Sequence, residues 1–258
     1  MAQVYGDIVN GKPFDACHTT KKNYIGRKME MGDGRVFRYC KAGEAITIGD
    51  LIAASSDPLV ISATFFGASK SDAPVAGSGG AIGDTRIEVF DLASGSATAN
   101  EYQDGFLVIT AGTGAGQMFK VRANTVLSST EAAGRYVYIY DGLITALDNT
   151  SVGLLIKSPY DGVIVADANT KEVPLGIACT ACDSESFFWI CTCGPAPLQA
   201  GTQTIDVGEP VIVADDDAGS GCVLACSGNS QDLFVAIGSG LGDVADGSFG
   251  PVMLTLGP

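Results

Sequence analysis

The chain's 258 residues are 46% hydrophobic and 8% aromatic, with 15 Lys and Arg against 29 Asp and Glu and a formal net charge of −14. A chain of this length and apolar content buries roughly 70–75% of the surface its unfolded form exposes, which excludes disorder and lets a core form without staples. The acidity argues against direct contact with nucleic acid. No apolar run approaches the roughly 18 residues of a membrane span, and the first residues do not follow the basic-then-apolar order of a secretion signal. The expectation is a soluble protein without a membrane partner.

Charge is unevenly placed. Residues 1–41 hold eight of the fifteen cations (Lys12, Lys21, Lys22, Arg27, Lys28, Arg35, Arg38 and Lys41) and only four acids (Asp7, Asp15, Glu30 and Asp33). The expectation over 1–40 is an extended basic N-terminal arm on an acidic body. Such an arm either docks on an acidic partner or folds back on its own domain, and charge patterning leaves both open. Its candidate partner-binding residues are Lys21, Lys22, Tyr24, Arg27, Arg35, Phe37, Arg38 and Tyr39, because aromatic and Arg side chains dominate binding hot spots. On that reading, removal of residues 1–30 leaves the body folded.

Beyond the arm, short apolar or alternating runs recur at 45–48, 59–66, 85–90, 105–110, 117–122, 136–140, 152–157, 162–166, 186–192, 209–213, 233–237 and 251–256. They are rich in Val, Ile, Thr, Tyr and Phe and are bounded by Gly, Asp, Asn, Ser or Pro, which is strand chemistry. Asp104-Gly105, Asp141-Gly142, Asp161-Gly162 and Asp246-Gly247 supply turns. The 34 glycines fall between these runs with no three-residue period, as turn punctuation. Only 50–55 and 125–133 could carry a short helix, and neither sustains a helical period. The predicted class is all-β, a barrel or sandwich.

Ala45-Ile46-Thr47-Ile48-Gly49-Asp50-Leu51-Ile52 resembles Thr204-Ile205-Asp206-Val207-Gly208-Glu209-Pro210-Val211 in its order of apolar residue, glycine, acid and apolar residue. Two similar barrel edges flanking a middle segment predict that 41–66 and 159–258 form one β-barrel or sandwich domain. Residues 67–158 would then be an inserted β-rich lobe entered through the small, polar linker 67–80.

Candidate chemistry is sparse. His18, the one histidine, stands beside Cys17 with no third group in view to hold it as a base, so a surface or packing role outweighs catalysis. Asp215-Asp216-Asp217 followed by Gly219 lacks the alternating acids and later Glu of a calcium loop and reads as a solvated turn. Gly112-Thr113-Gly114-Ala115-Gly116-Gln117 fails as a phosphate loop: no Lys-Ser/Thr pair follows, and what comes next is strand-like. No cofactor is expected. The eight cysteines include Cys179-x2-Cys182, Cys191-x-Cys193 and Cys222-x3-Cys226. Cys179, Cys182, Cys191 and Cys193 are candidates for a structural zinc. Residues two apart on a strand share a face, so these cysteines also read as small core hydrophobes, or as thiols that oxidise to disulfides only after release from the cell.

Asp33-Gly34-Arg35-Val36-Phe37-Arg38-Tyr39 followed by Lys41-Ala42-Gly43 resembles an N-terminal segment of structural proteins of tailed phages. The likeness continues in order through Asn100-Glu101-Tyr102-Gln103-Asp104-Gly105-Phe106-Leu107-Val108-Ile109, the Gly112 turn and Phe119-Lys120-Val121. It goes on with Ser158-Pro159-Tyr160-Asp161-Gly162-Val163-Ile164-Val165, Val173-Pro174-Leu175-Gly176-Ile177-Ala178 and Phe188-Trp189-Ile190 before Gly194-Pro195-Ala196. The resemblance spans 33–196 and leaves the cysteine-rich C-terminal third outside it. It implies a non-enzymatic decoration or cement protein on the outer surface of a phage head, assembled in the host cytoplasm. The implied partners are the major capsid protein and further copies of the chain, with a trimer favoured because symmetry multiplies a modest interface. Two other classes remain in play: a tail or head-fibre receptor-binding protein gripping a glycan, and a polysaccharide-degrading virion enzyme, which needs two facing carboxylates or a metal in a cleft.

Overall fold

The computed structural model describes residues 13–55, 60–65, 80–92, 96–128, 135–166, 172–201, 204–213, 236–245 and 247–257. Among them the chain is all-β and no helix forms. In chain order the strands are β1 (Lys28–Glu30), β2 (Val36–Ala42), β3 (Leu51–Ala53), β4 (Val60–Phe65), β5 (Arg86–Leu92), β6 (Phe106–Ala111), β7 (Met118–Asn124) and β8 (Tyr136–Ile139). They continue with β9 (Val152–Ile156), β10 (Asp161–Val165), β11 (Pro174–Ala178), β12 (Phe187–Gln199), β13 (Pro210–Val211), β14 (Gly238–Gly240) and β15 (Phe249–Thr255). Two compact units result, one from 1–56 with 159–258 and the other from 57–158.

In the first unit the strands run β1-β2-β10-β3-β11-β12-β15-β14-β13, and a further β2–β12 pairing closes β2, β10, β3, β11 and β12 into a five-stranded barrel. Its interior is filled by alternate residues of each strand: Cys40 and Ala42 from β2, Ile52 from β3, Val163 from β10, and Phe188 and Ile190 from β12. The second unit is a closed antiparallel barrel in the order β4-β5-β8-β7-β6-β9. Ile87, Val89, Leu107, Ile109, Phe119, Val121, Val137, Ile139 and Leu155 line its core, again every second residue.

The likeness between 45–52 and 204–211 is one corner of a larger duplication inside the first unit. Ile52 pairs with Gly176 between β3 and β11, as Val211 pairs with Gly238 between β13 and β14. Ala178 pairs with Ile190 between β11 and β12, as Gly240 pairs with Val252 between β14 and β15. Tyr39 pairs with Trp189 between β2 and β12, as Pro197 pairs with Pro251 between β12 and β15. β12 is therefore shared. Its first half closes the first repeat, and its second half opens the second, in the role that β2 plays in the first.

Each repeat is hinged on a pair of tight turns joined by one antiparallel bridge, Ile46 to Cys182 in the first and Ile205 to Val244 in the second. In the first turn of each pair a left-handed glycine, Gly49 (φ 85°) or Gly208 (φ 82°), precedes an acid that accepts the N–H of the residue three back. Thr47 donates to Asp50 Oδ2 at 2.6 Å, and Asp206 donates to Glu209 Oε2 at 3.0 Å. The same device recurs in the second unit, where Ala81 donates to Asp84 Oδ2 at 2.8 Å beside Gly83, and the N–H of Leu147 returns to Gly80 O at 2.8 Å.

Four expectations need correction. The run at 45–48 is the first of these turns and not a strand, because Gly49 forces the chain round and Asp50 caps it. The possible helix at 50–55 is β3, whose Leu51, Ile52 and Ala53 are all buried between neighbouring strands. Described residues 125–128 of the other possible helix are extended, with Leu127 bridged to Ala97. Finally, the strand expected over 186–192 runs further: two prolines facing each other, Pro197 and Pro251, need no N–H in a non-hydrogen-bonded pair, so the ladder continues to Gln199.

The expected arm is corrected too. Residues 13–40 are folded onto the first unit. Met29 pairs with Phe37 where β1 meets β2, and His18 exchanges two backbone hydrogen bonds with Phe187 at the start of β12 (2.9 and 2.7 Å). The reason is hydrophobic. Ile25 and Met29 are 2% and 3% exposed and belong to the same core cluster as Phe37, Tyr39 and Trp189. Removing residues 1–30 would take Ile25 and Met29 out of that cluster.

Candidate functional site

The outer face of β2 and the first half of β12 carries Phe37, Tyr39, Phe187 and Trp189, which pack on one another. The Tyr39 ring stacks on Phe187 at 6.0 Å and meets Trp189 edge-on at 5.0 Å. The N-terminal chain crosses this face as a strap. It is tied at one edge by the His18–Phe187 bridge and at the other by Gly26 N–H to Tyr39 O at 2.8 Å. Midway, the N–H of Lys22 donates to Tyr39 Oη at 3.1 Å. Burial raises the Tyr39 phenol, against the pull of backbone donors from Lys22 and Asn23. Phe14 ends the strap edge-on against Phe37 at 5.8 Å, with the Arg35 guanidinium 5.0 Å from its ring centre.

This geometry divides the eight residues expected to grip a partner. Phe37 and Tyr39 are core, at 0% and 1% exposure, and cannot anchor another molecule. Arg38 donates to Gly26 O, Arg35 pairs with Asp33 at 2.7 Å, and Arg27 lies 5.5 Å from the Tyr24 ring centre. Lys22 Nζ is 3.3 Å from His18 Nε2. Lys21, Lys22, Tyr24 and Arg27 keep an outward surface, and Tyr24 is 45% exposed. Of the two fates open to the basic segment, folding back on its own domain is the one seen for residues 13–41.

On the second repeat no described residue forms such a cover over the equivalent face. Pro195, Pro197, Phe249 and Pro251 stand where Phe37, Tyr39, Phe187 and Trp189 stand on the first. With Ala196 and Gly250 they line a shallow apolar groove of about 320 Å³, and Phe249 is 56% exposed.

A third surface belongs to the second unit. Tyr136, Tyr138 and Tyr140 project from one face of β8 and the residue after it. Arg86 of β5 lies 4.8 Å from the Tyr136 ring centre, and Arg122 of β7 lies 5.9 Å from that of Tyr138. The alternation Tyr136-Val137-Tyr138-Ile139-Tyr140 announces this row in the sequence, although only the sheet order brings the arginines to it.

The cysteines do not converge. Cys182 lies inside the first barrel with Cys40, and Cys17 packs against that cluster, whereas Cys179 and Cys191 pack on the outer layer with Trp189. Strand alternation thus separates the zinc quartet: Cys182 belongs to one side of the sheet and the Cys179–Cys191 pair to the other. Among the described residues no three His, Cys, Asp or Glu could share a metal. Contact with Cys191 lowers the Cys179 thiol against its burial, with Arg35 adding attraction, and the same contact, followed by burial, raises Cys191. Burial and neighbouring Cys17 raise Cys182 as well. Cys222, Cys226 and Asp215-Asp216-Asp217 lie outside the described residues, as do Lys12 and nearly all of the linker.

The glycine-rich run after β6 is a turn in which Gly112, Gly114 and Gly116 all adopt positive φ, and it leads straight into β7. Among the described residues no helix is long and apolar enough to cross a membrane. The chain matches no known protein family, no curated protein and no solved structure.

Proposed function

We propose that the protein is a non-enzymatic structural component of a tailed-phage particle, bound to the outer surface of the head as a decoration or cement protein. The observation that carries this reading is where the carboxylates go. Asp50, Asp84, Glu101 and Glu209 each accept the N–H of the residue three back and cap a turn, and Asp148 accepts from Thr113 and Thr150. Acids spent on holding turns make a rigid scaffold, and a rigid scaffold with apolar and aromatic faces suits attachment. The order-preserved resemblance over 33–196 points the same way. The partners on this reading are the major capsid protein and other copies of the chain around a symmetry axis, a trimer in the first instance.

The test is location. Electron microscopy of mature particles, with the chain traced into density, is expected to find it outside the shell. Heads lacking it should lose their contents at lower temperature or lower salt. A chain missing from purified particles, or a purified protein that turns over a polysaccharide, overturns the proposal.

The tyrosine–arginine row of the second unit favours a second reading, a receptor-binding protein of a tail or head fibre. Aromatic faces stack on sugar rings and guanidinium groups bind acidic substituents. Binding of the isolated protein to host cells, lost in Tyr138→Ala, would support it over simple cementing.

A further inference from the structure

We infer that the groove over β12 and β15, uncovered among the described residues, is a docking site for a basic, aromatic-bearing segment of another polypeptide. The molecule carries its own precedent. The register that equates Pro197–Pro251 with Tyr39–Trp189 makes the groove the counterpart of a face that this chain covers with a strap. The strap runs through bends and turns and sets an aromatic ring (Phe14) and the apolar side chains of Ile25 and Met29 on the face while its backbone ties to the flanking strands. It also carries Lys21, Lys22, Arg27 and Lys28.

Charge selects the same kind of occupant. Residues 194–258 contain eight acids and not one Lys, Arg or His. Asp206, Glu209 and Asp243 sit in the turns of that repeat. An acidic segment would be repelled and a neutral one would gain nothing beyond apolar contact; a basic one is attracted as well as packed. Prolines at 195, 197 and 251 keep the groove floor stiff and present no N–H on those residues. Side-chain contact on the apolar floor, with polar ties at its edges, is therefore how the segment is held. The chain's one strongly basic stretch lies within residues 1–41, of which 13–41 are already seated on the first face, so a basic occupant comes from a different polypeptide. This assignment does not depend on the partner being a capsid subunit.

The probe is a labelled synthetic peptide of residues 13–31, added to the full chain and followed by fluorescence anisotropy. Saturable binding is expected, weakened at least tenfold by Phe249→Asp and by Pro197→Glu in the protein. A peptide with Lys21, Lys22, Arg27 and Lys28 all changed to Glu should lose at least as much. Hydrogen exchange should show the peptide protecting 195–199 and 249–253. Both substituted side chains are exposed, and an unchanged melting temperature shows that the variants fold. Absence of binding, or binding that survives both variants because the peptide has displaced the native strap, overturns the inference. So does sedimentation showing a dimer that Phe249→Asp dissociates, since the occupant would then be a second copy.

Discussion

The two repeats of the first unit share a backbone register and differ in what lies over them. The first presents Phe37, Tyr39, Phe187 and Trp189 and packs them beneath the strap; the second presents Pro195, Pro197, Phe249 and Pro251, which are exposed among the described residues. One architecture thus yields a hydrophobic core layer on one side and an open surface on the other. The difference lies in side-chain size and in a covering segment that, among the described residues, the first repeat alone receives. Burial, and not topology, decides which face serves stability and which is free for recognition.

The largest effect should come from removing the strap. A chain lacking residues 13–31 loses the burial of Ile25 and Met29 and exposes Tyr39 and Trp189, four large side chains at about 1.5–3 kcal/mol each. Folding stabilities of this order match the total of a typical domain. The truncated first unit is expected to bind a hydrophobic dye and to show no cooperative urea transition. A truncated chain that melts like the full one would mean that the strap is an accessory, and the contrast between the faces would lose its basis.

Single substitutions at paired positions come next. Trp189→Ala should cost about 3–5 kcal/mol in urea unfolding, as large-to-small changes in tight cores do. Phe249→Ala, on the exposed counterpart strand, should stay within about 1 kcal/mol. Equal costs at the two sites would show that the groove is packed in solution and would remove it as a docking surface.

These contrasts also mark how far the sequence can be read. The all-β class follows from strand-length apolar runs cut by glycine, and the corner of the duplication at Gly49-Asp50 and Gly208-Glu209 is visible because a left-handed turn needs glycine and its cap needs an acid. The remainder of the duplication is hidden. Register is set by backbone pairing, and Tyr39 and Pro197 occupy equivalent places with no chemistry in common. Phe37 and Tyr39 read as partner anchors because they sit among cations; nothing local reveals that the strap will cover them. The groove was equally hidden, since the apolar run read over 186–192 stops short of Pro195 and Pro197, whose place in the ladder shows only in the pairing.

Gly49 and Gly208 give a finer comparison. Both adopt positive φ, so alanine is strained at either, at a cost of about 1–2 kcal/mol. A methyl group at Gly49 would also meet the Phe249 ring at 2.4 Å, whereas at Gly208 it meets nothing. Gly49→Ala should therefore destabilise more than Gly208→Ala by thermal melting, and Phe249→Ala should remove the excess in a double mutant. An excess that persists would place the Phe249 ring elsewhere in solution and redraw the groove.

The smallest expected effect concerns acid. Asp148 accepts from Thr113 Oγ1 at 2.6 Å and from Thr150 Oγ1 at 2.6 Å, tying the glycine-rich turn after β6 to the turn before β9. Those bonds, that of Thr113 foremost, favour the charged form and hold the carboxyl below its ordinary value of 3.8. A folded-state value below the unfolded one means that the stabilisation is complete above pH 4 or so and fades as pH falls through the folded value. Because Asp148 lies at the surface, water and salt screen it, and its contribution should stay below about 1 kcal/mol. Thr113→Val removes the largest cause, so the second unit should lose less stability between about pH 5 and about pH 3, the range in which carboxylates titrate. Thr113 and Asp148 both belong to the second unit, so the acid response of the first unit should not change with the substitution. An equal change in both transitions would show that the two units unfold as one.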